Sequence, residues 1–173
     1  MKKQKIYKWI IISIALAINL FIIINSCFGG ATSSTVSNSF VDVAVKVVNG
    51  ISHDAVNKSN INSFTAVIRK LFGHFALFGL SGCMSTWAIY LIFKGTKYNF
   101  YFKFGLISFL FGLAVSWVTE FIQLFVNGRS GSSVDVAIDM LGYFIGVLLL
   151  IFILFLAKKP IFTKEKLEEK RAN

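Results

Sequence analysis

Acidic side chains, prolines and cysteines are all scarce in this chain. Its 173 residues hold eight Asp and Glu, one Pro and two Cys. Charged residues make up 15% of the total, against about 25% in soluble domains, which excludes an ordinary water-facing surface. A single proline leaves long helices uninterrupted. Cys27 and Cys83 fall in different segments without metal-ligand spacing. They are expected to be small apolar fillers, not a disulfide. What is abundant is apolar: 55% hydrophobic residues, nineteen Phe and a mean hydropathy of +0.70. The fold class expected is an all-α membrane protein, a four-transmembrane-helix bundle. In a soluble protein the net charge of +10 would indicate nucleic acid. Here Lys and Arg stand mostly at the ends of apolar segments, where they meet phospholipid headgroups. Membrane lipids, and no nucleic acid, are the expected partners.

Spans are expected at about 9–28, 71–93, 104–126 and 136–157, in a single domain covering 1–173. Each is near the roughly 20 apolar residues that cross a bilayer. Lys2, Lys3, Lys5 and Lys8 followed by the apolar run Trp9–Ile24 also describe a signal peptide. The run is long for that purpose and no small-x-small site follows it cleanly, so an uncleaved first span is favoured. The polar connection Gly29–Ile68 contains F-V-D-V-A-V-K-V-V (Phe40–Val48), which fits strand alternation and a helix face alike. Beside a membrane it reads as a short interfacial helix. Ser63 is a candidate cap for the helix that enters the second span. Asn127–Val134 is a Gly/Ser turn, and 158–173 a charged tail. Gly142 and Gly146 are spaced GxxxG, which permits close helix approach and, as one expectation, a homodimer.

Lys and Arg concentrate in the N-terminal segment, the Lys94–Lys103 turn and the tail. That bias puts both termini in the cytoplasm, and the long loop and the Arg129 turn outside. The topology gathers charges. The third helix runs outward, so Glu120 lies about 9 Å inside a boundary near Val126, with Gln123 on nearly the same face. The fourth helix begins at that boundary with Asp135 and Asp139 one turn apart. The second carries Arg69, Lys70 and His74 in its first turns. Ionisable residues inside spans are expensive and mark function. The ligand-binding candidates are Arg69, His74, Glu120, Gln123, Arg129, Asp135 and Asp139. Plainer roles exist for some of them. Arg69, Lys70 and Arg129 would serve as anchors for lipid phosphates. Asp135 would serve as a helix N-cap, and Arg129 with Asp139 or Glu120 as a structural ion pair. Glu120 and His74 are the hardest to explain that way and are the candidates for any catalysis.

The runs R-K-L-F-G-H-F (Arg69–Phe75), E-F-I-Q-L-F (Glu120–Phe125) and G-R-S-G-S-S-V-D-V-A-I-D-M-L-G (Gly128–Gly142) resemble the VanZ-like family. These are small bacterial membrane proteins named for a teicoplanin-resistance protein. The stretch N-S-C-F-G-G-A-T-S-S after the first span is similar to a Ser-rich segment of that family. The resemblance covers about Phe21–Ile151. It implies a bacterial plasma-membrane location, and a polar signature made of His74, Glu120, Gln123, Arg129, Asp135 and Asp139. The chain departs from the pattern twice. Lys70 and His74 are four apart where K-x-x-H is usual, which turns Lys70 by about 100° and leaves its membership open. Asp139 stands where many relatives have Asn, adding a charge that Arg129 could balance.

Three readings of function follow. An envelope protein without catalysis would bind an amphiphile, such as a lipid-linked cell-wall precursor or a lipoglycopeptide like teicoplanin, and contribute to glycopeptide resistance. Arg69 and Arg129 would hold its phosphate or carboxylate. An enzyme would use Glu120 and His74 as base and acid, or hold a divalent metal with Glu120, Asp135, Asp139 and His74. Against that, no Ser or Cys nucleophile stands in a recognisable motif. A transporter or flippase ranks last, because the polar residues lie at one depth and not along a path. The first reading is preferred, with no metal and no cofactor assigned.

Overall fold

The computed structural model describes the backbone of residues 2–53, 55–93 and 100–172, with side chains described outside 2–4, 30–37, 100–102 and 158–172. The elements are α1 (Lys2–Cys27), α2 (Gly30–Ile51), α3 (Ile61–Arg69), a π-helical turn (Lys70–Ala76), α4 (Leu77–Phe93), α5 (Phe100–Gln123) and α6 (Ser133–Ala172). No strand occurs among the described residues. α3, the π turn and α4 make one continuous rod, Ile61–Phe93. Four helices are long and apolar enough to cross a membrane: Lys5–Cys27, that rod, Lys103–Gln123 and Ser133–Ala157. Lys94 and Lys97 of the expected basic turn lie outside the described residues.

Several boundaries differ from the sequence expectation. The second span does not begin at Leu71, because α3 continues it back to Ile61. Ser63 is therefore inside a helix, and Asn60 occupies the cap position. The third span ends at Gln123 and not at Val126. Leu124, Phe125 and Val126 instead make turn bonds to the carbonyls of Phe121, Ile122 and Gln123. Gly128 then reverses the chain at φ 75, a conformation that suits a residue without a Cβ. Hydropathy counts Leu124 and Phe125 as span, yet both are exposed beyond the helix end. In the long connection, α2 runs the whole of Gly30–Ile51 and is not confined to Phe40–Val48.

The core is set by close backbone approach. α4 and α6 share the most extensive contact in the bundle. A Cβ added to Gly142 would collide with the carbonyl oxygen of Phe75, and one added to Gly146 with that of Gly79. Small residues let apolar helices approach where no hydrophobic driving force separates them from lipid. The GxxxG face expected to receive a second copy is thus occupied by the rod of the same chain. Tyr143 is wholly buried one turn after Asp139, and packs with Ile22, Phe78, Val115 and Val147. Its ring fits because position 112 is glycine, where a Cβ would come within 2.6 Å of it. On the outside, Leu20, Leu110, Trp117, Phe121, Leu148 and Phe152 are exposed. Such an apolar exterior suits lipid and not water.

Candidate functional site

The site stands at the end of the bundle where α1 and α5 finish and where the π turn, α4 and α6 begin. A half-open pocket of about 230 Å³ is lined there by residues of all these elements. Of the sequence candidates, Arg69, His74, Glu120, Gln123, Arg129 and Asp139 all line it. Asp135 does not. The first turn of α6 holds it beside the pocket, with its Oδ1 2.6 Å from Lys70 Nζ. The proposed N-cap role passes to Ser132, whose Oγ accepts from the Val134 amide at 3.2 Å. Lys70, left open by its spacing, is placed by the π turn so that it and His74 meet Asp135 and Asp139, the same interval along two facing helices. Single π-helical turns inside α-helices occur often at functional sites.

At the centre, His74 Nδ1 lies 3.0 Å from Asp139 Oδ1 and 3.9 Å from Glu120 Oε1. Asp139 is 0% exposed and Glu120 4%. Buried carboxylates need partners, and each has them. Ser116 Oγ donates to Asp139 Oδ2 at 3.0 Å. The Ser132 amide donates to Glu120 Oε2 at 3.0 Å, and Gln123 Nε2 to Glu120 Oε1 at 3.0 Å. The Ser132 bond depends on the tight return of the 124–132 turn, since a Cβ at Gly131 would strike the Glu120 carbonyl. Glu120 and Gln123 share one face of α5 and are both buried, where α5 ends against the returning chain.

Two cations line the same pocket. Arg129 donates from Nη2 to the Asn25 carbonyl at 3.3 Å, tying the turn to the end of α1. Burial pushes its guanidinium below the ordinary arginine value, and the Glu120 charge opposes that fall. Arg69 donates from Nη2 to Asn38 Oδ1 of α2 at 2.9 Å. Its Nε is buried with no hydrogen-bond partner among the described residues. Phe40 of α2 stacks on Phe72 of the π turn at 6.0 Å, on the same flank.

Sequence reasoning missed Ser116, the Ser132 amide, the Asn25 carbonyl and Asn38. Ser116 was findable, four residues before Glu120 on one helix face. Backbone donors and acceptors carry no residue-type signal. A second polar set lies deeper. Asn19 Nδ2 donates to Ser85 Oγ at 2.9 Å and Ser81 Oγ to Asn19 Oδ1 at 3.0 Å. Thr86, Ser108 and Tyr143 continue it through hydroxyl contacts of 2.6 and 3.1 Å. Polar side chains therefore do not stop at one depth, as the ranking against a transporter assumed; the carboxylates, the histidine and the arginines do.

This geometry can hold an anion with Arg69 and Arg129, accept donors at Glu120 and Asp139, and move a proton at His74. Cys27 and Cys83 are free thiols and take no part in it. Comparison with curated proteins and with solved structures gives no match. Comparison with protein families matches residues 9–156 to VanZ/LLP1. Four helices able to span, together with that match, are consistent with a multi-pass membrane protein. The chain belongs to the VanZ/LLP1 family.

Proposed function

We propose that this VanZ-like membrane protein binds the anionic head of an amphiphile in the pocket between α1, the Ile61–Phe93 rod, α5 and α6. One observation carries the reading. Two arginines from separate elements converge on one pocket, and the Nε of Arg69 is buried there without an acceptor. An unmet buried donor costs about 1–3 kcal/mol, which an incoming phosphate or carboxylate oxygen would recover. Guanidinium groups match such anions in geometry and charge. Glu120 and Asp139, fixed by Ser132 and Ser116, would accept sugar or amide donors of the same head.

In this reading the Lys/Arg bias puts the pocket in the outer leaflet of the membrane. α2, with Phe40, Val43 and Val47 exposed, would then lie at that surface. A lipid-linked cell-wall precursor, or a lipoglycopeptide such as teicoplanin, has an anionic head and an acyl or prenyl chain of the kind such a site would take. Binding it would limit the drug's access to its target. The test is Arg129→Ala in a strain that carries the protein. Teicoplanin susceptibility should rise while the protein still inserts. Unchanged susceptibility after deletion of the whole protein would sink the resistance role.

A second reading, acid–base chemistry on the bound lipid, is favoured by the His74–Asp139 contact. A buried carboxylate on one ring nitrogen orients the imidazole and sets its tautomer. Recovery of a chemically altered lipid after incubation with purified protein would establish it.

A further inference from the structure

The geometry points to a divalent transition-metal site formed by His74 Nδ1, Glu120 and Asp139, a site that goes beyond anion binding and does not depend on it. One donor atom from each residue lies within 4.8 Å of the other two. Donors sharing an ion at about 2.0–2.2 Å stand roughly 3.0–3.5 Å apart. His74 Nδ1 and Asp139 Oδ1 are at 3.0 Å and Glu120 Oε1 is 3.9 Å from the same nitrogen, so the Glu120 carboxylate, within 4.8 Å of the other two donors, must move inward to complete the set.

Three features separate this from an ordinary acidic cluster. The donors come from three different elements, the π turn, α5 and α6. Each carboxylate is anchored from behind by a donor outside the triad, Ser116 for Asp139 Oδ2 and the Ser132 amide for Glu120 Oε2. That is how outer partners orient metal-binding carboxylates. Both acids are buried, at 0% and 4% exposure; the His74 imidazole reaches both and the Arg129 charge acts on Glu120, while a dication between the two acids would offset both directly. One imidazole nitrogen with two carboxylate oxygens favours Zn2+ or Mn2+ over the all-oxygen preference of Mg2+ and Ca2+. His74, Glu120 and Asp139 line the same pocket as Arg69 and Arg129, so an ion held by the three would border that space. Asp135, weighed as a ligand from sequence, is committed to Lys70 and takes no part.

The test uses the full chain in neutral detergent, stripped with chelator and titrated with Zn2+, Mn2+ and Mg2+. Stoichiometric Zn2+ or Mn2+ uptake is expected, with Mg2+ far weaker. Asp139→Asn and Glu120→Gln should abolish it. Ser116→Ala, which leaves all three ligands, should weaken it about 10–100-fold. Arg129→Gln should keep the metal while losing the anionic head, so that failure of one claim is told apart from failure of the other. Co2+ substitution supplies a second readout, a visible ligand-field band in the wild-type protein that changes in Ser116→Ala. No saturable uptake by the wild-type chain, no Co2+ band, or uptake that survives Asp139→Asn overturns the site.

Discussion

His74 and Asp139 meet at 3.0 Å because Gly142, three residues beyond the aspartate, lets α6 lie on the backbone of Phe75, one residue beyond the histidine. The glycine that closes the bundle is thus the neighbour of the pair that makes the site. Packing and chemistry share one contact, and the first expectation concerns both.

Gly142→Val should force the two helices apart. Overpacking of this kind costs about 1–3 kcal/mol, and here the clash is with backbone and not with a side chain that could swing away. A lower melting temperature in detergent is expected. Gly50→Ala, where nothing lies within 4 Å of the added Cβ, should leave stability unchanged or raise it, since alanine is the better helix former. Equal melting shifts for the two variants would contradict the packing described.

His74→Ala should destabilise more than Asp139→Asn. The first leaves a wholly buried carboxylate beside Glu120 without its imidazole. Stranding a buried charge costs about 3–5 kcal/mol, whereas the amide removes the charge altogether. The double variant should recover part of the His74→Ala loss, a coupling that a double-mutant cycle reads directly.

Lys70→Met should behave otherwise. The Lys70 side chain is 44% exposed but that of its partner Asp135 only 14%, so the pair is partly screened. Exposed pairs are worth about 0.2–1 kcal/mol, and the shielded carboxylate puts this one at the upper end. A modest loss of stability that shrinks in high salt is expected. A loss as large as that of His74→Ala would mean that Lys70 belongs to the centre of the site.

Burial lowers the Arg129 guanidinium from its ordinary value and Glu120 raises it again. A guanidinium is not deprotonated in proteins, so Arg129 stays charged across the working range even so. Any difference in anion binding between wild type and Arg129→Gln should therefore hold constant above about pH 8, where a phosphate monoester is fully ionised. A difference that fades as pH rises would assign the anion to a group that titrates there.

The spans and the convergence of charges were legible because hydropathy marks helices and position along a helix fixes depth. Glu120, Gln123, His74 and Asp139 could be brought together by counting residues from the span ends. The same counting failed for Asp135. It gives depth but not azimuth, and the π turn that aims Lys70 at Asp135 leaves no mark in residue types. Counting also overran α5, since Leu124 and Phe125 are as apolar as a span although they form its turn. The GxxxG pair was visible, but sequence alone does not say which helix it receives. That the π turn and α4 of the same chain fill it is a fact of three-dimensional packing.

The most direct measurement is the binding of a single-chain alkyl phosphate to the purified full-length protein, followed by calorimetry in neutral detergent. Saturable binding is expected, weakened about tenfold or more in Arg129→Gln, as the loss of a charged hydrogen bond of about 1.5–3 kcal/mol requires, with no comparable binding of a quaternary-ammonium lipid of equal chain length. Equal affinity for the two lipids, or for wild type and variant, would show that the pocket is not an anion site.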